Sequence, residues 1–272
     1  MKYAMMTYTM ARGDWGKDCN IEDLCRLTRE LGLDAVDWVT TYNAQPVDIR
    51  KVMDDYGLKT VCHTFFADVN FPDKASRQQG LDTLKRGIEA ASVLGTDKVM
   101  LPFPGKAGLS RDESRRNVIE GLKDVVEFAK AADIIMTIEH FPGATPPFVV
   151  SNDINIALSE IPGLKATFDS GNVLTGGENP SDGFLNNRDA IVHVHFKDFD
   201  RVSEDENGFL GLDGGCYKAA LIGEGLVDYP NLLDTMTKAD YNGYINIEYE
   251  GDKYSPEEGV RKALDYLRSF KQ

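Results

Sequence analysis

A chain of 272 residues is long enough to bury a large core, and residues 1–272 read as one large α/β domain rather than two ordinary ones. Its apolar and charged fractions, 42% and 27%, are those of a soluble globular protein. The balance of 44 acidic to 30 basic residues gives a formal charge of −14, a field that repels phosphate backbones and argues against a nucleic-acid partner.

The first predicted element is a strand near 3–7. It lies in Met1-Lys-Tyr-Ala-Met-Met, which lacks the long apolar stretch of a signal peptide. No run along the chain approaches the length of a membrane span, so no membrane association is expected. Helix and strand patterns then alternate. Helix near 21–31 precedes strand 35–38, helix 46–56 precedes strand 59–63, and helix 76–94 precedes strand 98–101. Helix 112–132 leads to strand 134–138, helix 151–159 to strand 165–168, and helix 182–189 to strand 191–195. Helix 229–239, strand 244–247 and helix 256–270 complete the series. Start signals stand at Asn20, at Ser110 with Glu113, and at Ser255-Pro256-Glu-Glu. Gly32, Gly57, Gly95 and Gly243 read as stops.

Eight strand–helix units in strict alternation predict a (β/α)8 TIM barrel. A doubly wound sheet would offer a glycine-rich phosphate turn, and neither GxGxxG nor GxxxxGK[ST] occurs. Between His195 and the helix near 229 runs a connection of about thirty residues, beyond usual βα loop lengths. It reads as a loop covering a substrate, with a plain insertion or an oligomer contact as the alternatives. The four cysteines form no CxxC pair and fit reduced thiols in a cytoplasm. Whether the chain forms a homo-oligomer is open.

Four polar residues follow four apolar runs: Glu139 after Ile134–Ile138, Asp169 after Leu164–Phe168, His195 after Ile191–Val194 and Glu248 after Tyr244–Ile247. In a barrel these strand ends share one face, and strands 5 to 8 are neighbours. Three carboxylates and one imidazole suit one divalent ion, Mn²⁺ foremost, then Mg²⁺ or Co²⁺, with Zn²⁺ also satisfied by such ligands. Each residue alone reads better as an ordinary polar cap or ion-pair member; four at equivalent positions point to a site. Glu139 and Glu248 would flank a substrate held there as an acid/base pair, one taking a proton beside a carbonyl and the other returning it. That chemistry serves isomerases, epimerases and some dehydratases.

His63, ending strand 3, could hydrogen-bond a substrate hydroxyl or serve a structural role. Lys197 should point to the pocket and bind a substrate oxygen, or else be a solvated rim residue. His193 reads as a core histidine below the metal, and His140 as a structural or rim residue. Trp15, Trp38, Phe65, Phe66 and Phe103 are candidate pocket lining, or barrel filling.

The chain carries Ile138-Glu139-His140, Phe168-Asp169-Ser-Gly-Asn172, His193-Val-His195-Phe-Lys197-Asp198, Gly223-Glu-Gly225 with Asp228, and Gly243-Tyr-Ile-Asn-Ile-Glu248. In these motifs it resembles the xylose isomerase-like TIM-barrel superfamily of sugar (phosphate) isomerases and epimerases. The resemblance implies metal binding by Glu139, Asp169, His195 and Glu248, with Glu139 and Glu248 catalytic, and a small sugar or polyol as substrate. It implies substrate contacts from Asn172, where many epimerases carry His, and from Arg201, which matches an arginine of ketose 3-epimerases. The superfamily also holds inosose and dehydroshikimate dehydratases, hydroxypyruvate isomerase and endonuclease IV. A metal-dependent dehydratase is the alternative activity. A nuclease would need more histidines than the four present and a basic groove. A sugar-binding barrel without catalysis is the remaining reading.

Overall fold

The computed structural model describes residues 1–270. Eight parallel strands close a barrel: β1 (Lys2–Met6), β2 (Ala35–Val39), β3 (Lys59–Thr64), β4 (Lys98–Leu101), β5 (Ile135–Glu139), β6 (Lys165–Asp169), β7 (Ile191–Phe196) and, last, β11 (Tyr244–Ile247). β11 pairs with both β1 and β7, so the barrel has no open edge. Each strand is apolar on its outer side because a helix covers it there. Trp38, Phe168, Phe196 and Tyr229 are fully buried in that layer between strands and helices.

The start signals work as caps. Asn20 accepts from the amides of Glu22 and Asp23, Ser255 from that of Glu258, and Ser110 and Glu113 form a reciprocal capping box. Gly95 ends its helix with φ +79°, a left-handed conformation that a Cβ disfavours. Gly243 does not serve that role. Asp240 (φ +55°) takes the left-handed turn after Tyr229–Lys238, and Gly243 instead lies against the Tyr241 ring. The expected helix 112–132 is two helices, Arg111–Lys123 and Val126–Ala131. The break follows Asp124, whose carboxylate is drawn to Lys74 and Arg77 of the preceding helix, at 3.0 and 3.2 Å. β1 ends at Met6, and Thr7, expected at the end of that strand, opens a short helix, Thr7–Ala11.

The connection after β7 is not a simple flap. β8 (Asp198–Val202), β9 (Phe209–Leu210) and β10 (Cys216–Ala220) form a small antiparallel sheet in the order β8-β10-β9. It packs on the turn after β6: Leu212 N donates to Thr175 O at 2.6 Å and Tyr217 Oη to Leu174 O at 3.3 Å. Among the described residues no helix is long and apolar enough to cross a membrane.

The barrel interior is stratified. Ala4, Ala35 and Val61, with Tyr244 against them, form an apolar layer apart from the main core. Toward the C-terminal ends of the strands the interior turns polar, with Asp37, Thr64, Thr137, Thr167, His193 and Asn246 all buried. Register shifts occur between Val36 and Asp37 and between Ala166 and Thr167. Such irregularities re-aim the side chains that follow, here Asp37 and Asp169.

Candidate metal centre

Glu139 and Asp169 are the last residues of β5 and β6, His195 lies one residue before the end of β7, and Glu248 directly follows β11. All four are buried. One ligand atom from each of Glu139, Asp169 and His195 lies within 4.8 Å of the others. Glu248 joins from the other flank: its Oε2 is 3.4 Å from His195 Nδ1, and Glu139 Oε2 is 3.5 Å from the same nitrogen.

Three of these ligand atoms have no hydrogen-bond partner despite full burial: Asp169 Oδ2, His195 Nδ1 and Glu248 Oε2. A buried polar atom left unpaired is costly, so three converging ones call for a cation. The other atom of each group is engaged. Asp169 Oδ1 accepts from the amides of Gly171 (2.9 Å) and Asn172 (2.7 Å), and Glu248 Oε1 meets Lys197 Nζ at 2.8 Å. Electrostatics agree. Burial, with Glu248 and Glu139 nearby, pushes the Asp169 carboxyl well above the usual range despite Lys197. Burial also raises Glu139, against the pull of His195. Burial works against ionised Glu248 too, yet Lys197 and His195 bring its pKa down to about 2. The donor set of three carboxylates and one imidazole fits a divalent ion.

Asp37 fixes how His195 presents itself. Its Oδ2 lies 2.7 Å from His193 Nε2 and 3.1 Å from His195 Nε2, and Thr64 Oγ1 donates to Oδ1 at 3.2 Å. The Asp37 carboxylate is held well below the usual range: burial opposes ionisation, but both histidines outweigh it. A carboxylate only accepts, so the Nε2 atoms carry hydrogen; burial opposes charge on His195, but Asp37, Glu139 and Glu248 raise its pKa well above the usual range, and its Nδ1 faces the two glutamates. Asn246 lies beside the pair, its Nδ2 donating to Val194 O at 2.9 Å. Asp37, Cys62 and His193 also form a cluster of ligand type. No side-chain nitrogen or oxygen of Asp37 or His193 is orphaned, so this lower cluster reads as support for His195 rather than a second ion site.

A cavity of about 90 Å³ opens on the cluster, lined by Glu139, Glu248 and Lys197, and also by Asn172, Glu250 and Tyr8. Lys197 therefore sits where the sequence placed it, but held by carboxylates: Glu248 at 2.8 Å and Glu250 at 3.3 Å. Asn172 lines the cavity while its Nδ2 is tied to His140 O at 2.8 Å. His63 and Arg201 lie elsewhere. His63 stands between Cys62 and Thr64, the neighbours of Asp37, so alternation turns its ring away from the interior. Its Nδ1 lies 2.9 Å from Trp38 O, and its ring packs on Phe65. Arg201, on β8, is half exposed, binds Asp213 at 2.7 Å and stacks over Tyr217. No residue of the β8–β10 sheet lines this cavity, while Phe209 and Leu210 of β9 lie beside Gly143 in the connection after β5.

Asp37 and Glu250 were missing from the sequence reading. Asp37 is a lone carboxylate inside the run Ala35–Val39, so a search of strand ends passes over it. Glu250 follows Glu248 by two residues, the same spacing that marked Lys197 after His195.

A family model described as xylose isomerase-like TIM barrel matches residues 25–270. An inosose dehydratase of Lacticaseibacillus casei is 27% identical over 173 residues, 61% of this chain and 57% of that protein, so the chain spans little more than half of that relative's length. The L-ribulose-5-phosphate 3-epimerase UlaE of Escherichia coli (strain SE11) is 24% identical over 277 residues, covering 93% of this chain and 90% of that one. A solved structure of IOLI protein with a binding zinc atom covers all of both chains at a TM-score of 0.81 and 14% identity, a likeness of fold.

Proposed function

We propose, for a chain that belongs to the xylose isomerase-like TIM-barrel family, a divalent-metal-dependent isomerase or epimerase of a sugar or sugar phosphate. The observation that carries this reading is the convergence of orphaned Asp169 Oδ2, His195 Nδ1 and Glu248 Oε2 beside a cavity with two glutamates on its wall. Glu139, Asp169, His195 and Glu248 would hold the ion, with Mn²⁺ the best match to oxygen-rich ligands. A bound divalent ion supplies Lewis-acid polarisation of a carbonyl and stabilisation of enediolate charge, worth several kcal/mol.

The chain's own residues do the rest. Glu139 and Glu248 come from strands separated in the barrel by β6 and β7, so a substrate between them meets a carboxylate on each side. One accepts the proton from the carbon beside the carbonyl, and the other returns a proton to the neighbouring atom or face. Lys197 holds one Glu248 oxygen and so orients that carboxylate. Asp37 orients His195. Tyr8, Met6, Val39 and Met100 narrow the cavity and restrict water.

The second reading is a dehydratase on the same site, and Lys197 is the observation in its favour. An ammonium inside the cavity can donate a proton to a departing hydroxyl at the β-carbon after the same proton abstraction. Mass spectrometry of ketoses, ketose phosphates and inososes, incubated in D₂O with Mn²⁺-loaded protein, tests both. Gain of one deuteron by a substrate is the expected result. Loss of one water moves the assignment to the dehydratase, and no change in any compound, with metal bound, refutes both.

A further inference from the structure

The cavity at the metal centre, about 90 Å³, adjoins a larger chamber of about 210 Å³ between the loops that leave β3 and β4. Phe66 and Pro102 line both. The chamber's other walls include Ala67, Phe103 and Pro104. Its two charges cancel, since Lys106 Nζ meets Asp68 Oδ2 at 2.8 Å and also binds Asn70 O at 2.9 Å. Phe66 is 54% exposed, an apolar ring left at the barrel mouth on the wall shared by the two spaces.

Neither space offers a phosphate an unengaged lysine or arginine. The first holds Glu139, Glu248 and Glu250 against one cation, Lys197, which two of those glutamates already engage. Arg12, whose guanidinium binds the Glu250 carbonyl at 2.6 Å, is not a lining residue. Backbone amides could cradle a phosphate without any cation. Those after β6 are spent on Asp169 Oδ1. The cradle in the connection after β7 is filled by the chain's own Asp198. Its carboxylate accepts from Phe199 and Val227 through Oδ1 and from Gly223 and Gly225 through Oδ2, at 3.0–3.2 Å. The helix after β11 begins with Glu257 and Glu258, which repel an anion at its N-terminus.

We infer, resting on the activity proposed above, that the substrate is an unphosphorylated sugar or polyol whose far end presents an apolar face to Phe66 and Phe103 in the chamber between the β3 and β4 loops. The reacting carbons lie at the metal centre, and the larger remainder of the molecule leaves the small cavity past Phe66.

Titration calorimetry on the Mn²⁺-loaded protein tests this with D-fructose, D-fructose 6-phosphate, D-glucose and phenyl β-D-glucoside. The phosphate ester should bind at least about tenfold more weakly than D-fructose, and the phenyl glucoside about tenfold more tightly than D-glucose, as expected for covering one ring face. Phe66→Ala should abolish the second difference while leaving Mn²⁺ affinity unchanged, since the ring is exposed and offers no metal ligand. A phosphate ester that binds as tightly as the free sugar overturns the inference. So does a phenyl glucoside with no advantage, an advantage that survives Phe66→Ala, or no saturable binding by any probe. The D₂O experiment separates the two levels. Deuterium entering phosphate esters alone refutes this inference and leaves the proposed activity standing. The expected binding ratios without exchange in any sugar do the reverse.

Discussion

At Glu248 two demands meet in one side chain. One oxygen is held by Lys197 and the other is left free beside His195. Glu248→Gln is nearly isosteric and sits at the barrel mouth, so it should lower kcat by about 10²–10⁴-fold with the far-ultraviolet circular dichroism unchanged. Wild-type turnover in that variant would refute the two-glutamate mechanism. Asp37 acts one step behind. Asp37→Asn can no longer accept from both histidines, and Mn²⁺ affinity by calorimetry should fall about 10–100-fold. An unchanged affinity would mean that His195 is oriented without it. The residue scale is also where sequence reading was least complete. The strand-end ligands were legible because each interrupts an apolar run at its end. Asp37 was not, because it lies inside its run and is paired by β7 histidines more than 150 residues away. His63 and Arg201 stand apart from the cavity for the opposite reason. Their residue types suit a sugar site, but strand alternation turns one outward and a local acid, Asp213, holds the other.

The helices and barrel strands were legible because each declares itself locally, by period, by cap and by stop. Three departures stand out: the short helix Thr7–Ala11, the break after Asp124, whose carboxylate meets Lys74 and Arg77, and the turn taken by Asp240 in place of Gly243. The excursion after β7 was legible only as a length. Its strands are short, the links between them are glycine-rich, and their register depends on pairing across the excursion, as in Tyr217↔Arg201. This element belongs to the stability of the fold more than to the site. Tyr217 is buried, packs near Phe209 and donates to Asp213 at 2.8 Å. Tyr217→Ala should cost about 3 kcal/mol, visible as a lower Tm, with KM within about twofold of wild type. A large KM change at constant Tm would instead make the excursion a covering loop.

For the whole molecule, the metal centre and the barrel share their interior. Asp169, His195, Asp37 and Asn246 are at once support for the site and filling for the barrel. A bound ion should therefore stabilise the fold, by about 2.7 kcal/mol at a free concentration one hundred times its Kd. Chelation should lower Tm and Mn²⁺ should restore it; an unchanged Tm would place no ion in the barrel.

The Asp198 cradle has a consequence for how this protein senses its buffer. In the wild type four backbone amides are neutralised by a tethered carboxylate, so dissolved salts cannot compete for them. Asp198→Gly would cut that tether and leave a nest facing solvent-borne oxyanions. Stability of the variant should then depend on which salt is present, with formate or acetate raising Tm and chloride doing little, whereas the wild type should be indifferent. Equal response of both proteins would show that these amides find other partners once the carboxylate is gone.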